Sequence, residues 1–375
     1  MRNVLIFVVL GAWLAGCSPA RQPVVLHAAE EIPANLSAWN IVFADGRSFE
    51  INEGVVPYDL NTPLFTDYAF KFRTVWLPDG ASASYDEDGA LDFPVGTIIS
   101  KTFHYEKAAG WSNDDFRVVR ADRESLLNQD SQFDLDNIVL IETRLLVHYA
   151  DGWKAYPYVW NDAQTDAVLE IAGDARRMEL VGAQGAESFT YVVPDTNQCG
   201  GCHTPDHSAK ALSPLGPKAW QLNRAYAWWG EQGTQLEHWA RHGMLSGLSA
   251  SPPAGVRWSN PGEATLEQRA KAYLDSNCAH CHNPNGAADT SALHLNIEAP
   301  IDTYYGVCKT PVAVGRGSGG RSYDIHPGRP EESIVTFRMQ HTDPDIAMPE
   351  LGRSVVHTEG VRLIVDWISS MNGDC

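Results

Sequence analysis

The sequence predicts a multidomain chain in which a β-rich N-terminal domain, sandwich- or barrel-like, precedes smaller and mainly α modules. Three observations predict it. Asp45-Gly46, Asp79-Gly80, Asp88-Gly89 and Asp151-Gly152 punctuate the first half with the dipeptide that tolerates positive φ in tight hairpins. The run NIVLIETRLLVHY alternates with period two: Val139, Ile141, Thr143, Leu145, Val147 and Tyr149 point one way, and Leu140, Glu142, Arg144, Leu146 and His148 the other. Further on, LEQRAKAYLDSN and TEGVRLIVDWISSM place apolar residues at helical spacing.

The chain begins MRNVLIFVVLGAWLAGCSPA, with Arg2 followed by an uncharged run from Val4 to Gly16. That run falls short of the roughly 20 residues of a spanning helix and suits an export signal. Leu14-Ala15-Gly16-Cys17 resembles the lipobox of bacterial lipoproteins. The resemblance implies a signal peptide over 1–17, diacylglycerol attachment at Cys17 and hence a membrane anchor. With Ser18 rather than Asp next, it implies the periplasmic face of the outer membrane. Residues 18–36 carry no steady period and read as a tether.

The β-rich domain is expected over 37–195. After Asp151-Gly152 the chain returns through WKAYPYVW, a hairpin in which Pro157 demotes the return strand to an edge or a bulge. Leu266, Ala270, Tyr273 and Leu274 mark a helix ending just before Cys278. Val361, Ile364, Val365 and Ile368 mark another, with Thr358 as its N-cap.

The 375 residues leave room for two or three domains. A composition of 44% hydrophobic and 10% aromatic residues is globular, and 12 Trp is a high count. The formal charge of −19 opposes a nucleic-acid partner, because phosphate backbones need clustered Lys and Arg.

Four of the seven cysteines fall in two pentapeptides, QCGGCHTPDH and NCAHCHNPNG. In CxxCH, two thiols three residues apart can each bond a vinyl group of one haem while the next histidine ligates its iron. A chance CxxCH is expected in on the order of one chain in two hundred. A zinc ribbon does not fit: 75 residues separate Cys202 from Cys278, against the usual ~15–20. Neither pentapeptide has the βαβ setting of a thioredoxin-like pair. Two covalently attached haem c groups are therefore expected, one at Cys199, Cys202 and His203 and one at Cys278, Cys281 and His282.

The order helix, CAHCH, long loop, DIAMPELG and closing helix resembles class I cytochrome c over about 262–375. In that family the methionine before proline binds the iron opposite the histidine, which points to Met348 as the second axial ligand. A His/Met pair raises the reduction potential and suits electron transfer. The domains expected are thus a haem 1 module at 196–260 and a cytochrome c-like haem 2 domain at 261–375.

The first module departs from that pattern, since YVVPDTNQ looks extended where a leading helix belongs. Met244 is the first candidate for its sixth ligand, with His242 and His238 beside it, and a distant ligand or an open iron is also left. His207, four residues after His203, faces the same side if the stretch is helical. Trp220, Trp228, Trp229 and Trp239 are candidates for a porphyrin wall. Cys308 and Cys375, left after lipid and haem, are expected to pair in an oxidising compartment.

Weaker features carry less. GRGSGGRS lacks the ending of a P-loop, though Arg316 and Arg321 there are candidates for haem propionates. Asn161, Asp162 and Asp166 fit turn chemistry better than calcium. The whole pattern resembles a family of bacterial dihaem c-type cytochrome lipoproteins. It implies electron transfer between unidentified redox partner proteins, with no catalytic residue. The competing expectations are a dihaem peroxidase or oxidase with an open first haem, and a β binding module that the haems wire.

Overall fold

The computed structural model describes residues 21–121, 132–225, 232–312 and 314–375. The expected signal peptide and Cys17 lie outside them, as do Trp228 and Trp229. The strands are β1 (Val42–Ala44), β2 (Ser48–Ile51), β3 (Val56–Tyr58), β4 (Phe70–Trp76), β5 (Ala83–Ser84), β6 (Ile98–Glu106) and β7 (Arg117–Val119). They continue as β8 (Gln132–Asp134), β9 (Ile138–Tyr149), β10 (Gly152–Trp160), β11 (Ala167–Leu169), β12 (Asp174–Gly182), β13 (Gly185–Val193) and β14 (Leu245–Ser246). The helices are α1 (Thr196–His203), α2 (Ala219–Leu222), α3 (Gln235–Arg241), α4 (Leu266–Leu274), α5 (Ile334–Met339) and α6 (Thr358–Ser370).

The chain is β-rich, with several sheets. A six-stranded antiparallel sheet in the order β11-β10-β9-β6-β4-β3 is the centre. The hairpin expected at Asp151-Gly152 joins β9 to β10 on the pair Tyr149↔Gly152, and Gly152 takes φ 115°, a region open to glycine. Pro157 is not on an edge, because β10 lies between β9 and β11. Its carbonyl accepts from Glu170 N–H at 2.9 Å. Its missing donor therefore faces the side on which three-residue β11 has already ended at Leu169, so no ladder bond is lost.

The simple alternation expected along β9 also needs correction. The register steps from Phe103↔Glu142 to His104↔Leu140, a bulge that passes over Ile141 and reverses which way the following residues point. Leu140, Leu145 and Val147 therefore share one core with Phe49, Phe72 and Trp160. Val139 and Ile141 lie in another, with Phe103, Met178 and Tyr191. The first core fills the space between the central sheet and the β1-β2-β8 sheet. The second lies on the opposite face, beneath β7, β12 and β13.

On that same opposite face, beyond a gap, a third core joins Tyr58, Val75, Ile99 and Leu146 of the sheet to Leu222, Leu236, Trp239 and Leu245. The boundary expected at 195/196 is thus not a break between cores. Two buried glutamines stitch it shut. Gln235 accepts from Asp59 N–H and donates to Asp59 O, both at 2.7 Å. Gln221 does the same at Thr62, both at 2.8 Å. β14 adds a parallel pairing with β5.

Residues 21–36 are irregular but are not a free tether. Asn52 donates to Gln22 O at 2.8 Å, Asn40 to Pro23 O at 3.0 Å, and Val25 N–H to Trp39 O at 3.0 Å, while Val24 packs on the first core. These partners, Asn40, Asn52 and Trp39, were invisible in sequence because they belong to the β domain.

In the C-terminal part α4 and α6 cross over a core of Tyr273, Leu274, Tyr305, Ile364 and Trp367. Gly360 allows the approach: a β-carbon there would overlap the Tyr273 phenol. Thr358 is the first residue of α6 rather than its cap. Its N–H is taken by the Tyr68 hydroxyl at 3.2 Å. Cys308 and Cys375 are joined by a disulfide with Cα atoms 5.3 Å apart.

Candidate functional site

Both pentapeptides lie on helical turns that local sequence sets up. After β13 ends at Val193, Asp195 caps α1 by accepting from Gln198 N–H at 2.8 Å, and Gln198 accepts from Asp195 N–H at 3.0 Å. This capping box satisfies two orphan donors reciprocally. The extended stretch expected before Cys199 therefore stops at Val193, and Cys199, Cys202 and His203 ride on α1 itself. In the second motif α4 ends at Leu274 and widens into a π turn over Asp275–Ala279 that carries Cys278. Cys281 and His282 N–H both donate to Cys278 O, at 3.1 and 2.9 Å.

Each motif histidine has its tautomer fixed. His203 Nδ1 lies 2.9 Å from Ser213 O; a carbonyl only accepts, so Nδ1 holds the proton and Nε2 a lone pair. His282 Nδ1 is 3.1 Å from Ser291 Oγ, whose own proton goes to Ala288 O at 2.6 Å. The hydroxyl must therefore accept from His282, again freeing Nε2. Burial pushes His203 down to about 3, with Lys101 adding to it, and His282 down to about 4, with Arg338 adding to it. Both rings are neutral.

The four motif thiols are unpaired by disulfide, and burial raises each, Cys281 to about 11 and Cys278 to about 12. They are protonated thiols rather than thiolate nucleophiles. Among the described residues no three His, Cys, Asp or Glu side chains gather as around a bare metal ion.

The two motifs touch each other. Cys281 Sγ lies 3.5 Å from Gly201 O, Asn283 Nδ2 donates to Pro205 O at 3.3 Å, and His207 N–H donates to Asn285 O at 2.7 Å. His207 is otherwise exposed.

Beside the first motif lies a cavity of about 570 Å³, walled by Cys199, Cys202, His203, His280 and Leu351, with Lys101, Phe103 and Arg144 beneath. It fills the gap between the two cores on one face of the central sheet, and its volume suits a cofactor-sized ligand. Among the described residues His203 and His280 are its only histidines, and no methionine lines it.

The expected sixth ligands lie elsewhere. Met244 packs on the core of Tyr58, Leu77 and Trp239, because its thioether is apolar and the chain turns it toward the sheet. His238 is buried on α3 with Nδ1 3.2 Å from Arg241, and exposed His242 ends that helix. Trp239 packs on Tyr58, their rings 5.8 Å apart, and Trp220 on Val256 and Ala272. Neither wall lines the cavity. His280, by contrast, stands in the variable part of CAHCH, where the spacing argument assigns no role.

Met348 faces Cys278 across a narrow cleft of about 10 Å³ shared with Phe65, Tyr273 and Met339. Its backbone is pinned: its N–H donates to Arg338 O at 3.2 Å and its carbonyl accepts from Arg353 at 2.8 Å. His282 is not among the residues lining this cleft, whose one histidine is His357, and the cleft alone does not hold a porphyrin. Arg316 pairs with Asp343 and Asp345 and Arg321 lies 4.0 Å from the Phe337 ring centre, so both are engaged away from the cavity. Asn161 Oδ1 accepts from Thr165 N–H at 3.0 Å, which is turn chemistry, whereas Asp166 accepts from Asn35 and Ser37 of a distant segment. No helix among the described residues is long and apolar enough to cross a membrane.

No family model matches the sequence, and no curated protein and no solved structure matches it.

Proposed function

We propose that this chain is an exported, lipid-anchored dihaem c-type cytochrome that carries electrons between redox partners. The observation that carries the reading is the packing of two CxxCH turns against each other, each with a neutral imidazole whose Nε2 is left free. In this reading Cys199 and Cys202 hold the first haem with His203 as ligand, and Cys278 and Cys281 hold the second with His282 and Met348. The finer fold follows: the helical segments about each motif are small haem modules, the second of cytochrome c type, docked on a β platform.

Bound in this way, haem c supplies a one-electron iron couple. The chain's own part is attachment, orientation and exclusion of water. Ser213 and Ser291 fix the two ring tautomers, Arg338 and Arg353 hold the Met348 backbone, and partial burial of the thiols limits solvent at the attachment points.

Intact mass of the mature protein is expected to include two tetrapyrroles, and acid–acetone is expected to leave the colour in the polypeptide. Loss of all colour sinks the reading. A second reading, a haem-dependent oxidoreductase acting at the first site, is favoured by the cationic cavity there. It expects high-spin iron in that site and reaction of peroxide with the half-reduced protein.

A further inference from the structure

Three cations stand in one line across the central sheet. Arg73 on β4 is in register with Lys101 on β6, and Lys101 with Arg144 on β9. All three point to the face that carries the cavity and form part of its floor. Like charges directly opposite one another on neighbouring strands destabilise a sheet. Burial raises that cost, since Arg73 is only 5% exposed and little water is left to screen it.

The two outer cations are answered. Arg73 meets Asp59 at 3.3 Å. Arg144 meets Glu142 at 2.5 and 2.7 Å, and Glu142 is steadied by the Tyr191 hydroxyl at 2.7 Å. The central cation is not answered. Among the described residues no carboxylate forms an ion pair with Lys101, whose neighbour is the Phe103 ring at 5.2 Å; burial first, then Arg144 and Arg73, push its pKa down to about 7, which a bound carboxylate would reverse. Lys71, diagonally placed and opposite Phe103, brings a further amine to the same face, its pKa held well below the usual lysine range by burial and by the neighbouring cations.

We propose that the Arg73–Lys101–Arg144 line is a carboxylate-binding site, with Lys101 as its central donor and the cavity as its entrance. One carboxylate supplies the missing negative charge, and its two oxygens accept from ammonium and guanidinium together. Two sources share this chemistry. One is a propionate of the first haem, which rests on the function proposed above. The other is a small organic acid that enters the cavity, which does not.

The test uses the full-length holoprotein and its Lys101→Met variant. Acetate and succinate are titrated calorimetrically at low ionic strength, with chloride as the control anion, and the propionate bending bands are recorded by resonance Raman. Two results support the site. Either succinate or acetate binds at least about tenfold more tightly to the wild type than to the variant, or Lys101→Met displaces the propionate band of one haem. Two results overturn it. One is no carboxylate binding together with unchanged propionate bands. The other is conversion of a low-spin haem to high-spin in the variant, because the amine would then be an iron ligand. A protein that carries no covalent haem sinks the electron-transfer reading, and the titration alone then decides this one.

Discussion

The chemistry narrows to single hydrogen bonds. Ser291 gives its only proton to Ala288 O and so takes the one on His282 Nδ1; a free Nε2 is the result. Met348→Ala is expected to leave two haems attached, because thioether attachment does not use it. It is also expected to lower the potential of one haem, since a thioether ligand favours reduced iron; potentiometric titration measures this, and an unchanged pair of potentials counts against Met348 as a ligand. His280 is the remaining imidazole on the cavity wall. If His280 is the second axial ligand of the proposed first haem, His280→Ala, which keeps CxxCH intact, turns that haem from low-spin to high-spin in near-infrared magnetic circular dichroism. Identical spectra would reject ligation by His280. The two CxxCH motifs were legible in the sequence because their spacing is local; that their turns pack together was not. Met244 lies away from the cavity because part of the core it packs on, Tyr58 and Leu77, comes from a distant segment, and His280 was passed over because the motif leaves that position open.

At the level of elements, local pattern was a good guide to existence and a poor one to environment. The β9–β10 hairpin, α4 and α6 were all legible from period and turn residues. The β9 bulge was not, since it depends on how β6 pairs with β9 rather than on β9 alone. Nor was the interior position of Pro157, which the short length of β11 permits. The α4–α6 crossing gives a sharp expectation. Gly360→Ala pushes a methyl group into Tyr273, whose hydroxyl is 3.0 Å from His357 Nδ1. Overpacking of this kind costs about 1–3 kcal/mol, so thermal unfolding should occur at lower temperature. An unshifted melting curve would mean that the helices can separate freely.

The whole molecule is more unified than its sequence suggested. Leu222, Leu236, Trp239 and Leu245 complete a core begun by Tyr58, Val75 and Ile99, so removing residues 37–195 is expected to yield insoluble or protease-sensitive product rather than a working pair of haem modules. Recovery of a soluble, coloured fragment would contradict this. The disulfide closes a separation of 67 residues, a loop worth about 4 kcal/mol. Cys375→Ser should therefore lower the denaturant midpoint by a corresponding amount, with the wild type under reductant showing the same loss. The order of the elements was readable from the chain; their joint cores were not, because contacts between distant segments leave no period. One arrangement at the start of the fold reaches furthest. The body is already gripped at Gln22 and Pro23, so a lipid on Cys17 would have a leash of roughly 17 Å at full stretch. Such a protein would be moored flush to its bilayer and would turn over it like a ship at short anchor, so that soluble partners would meet it from one side.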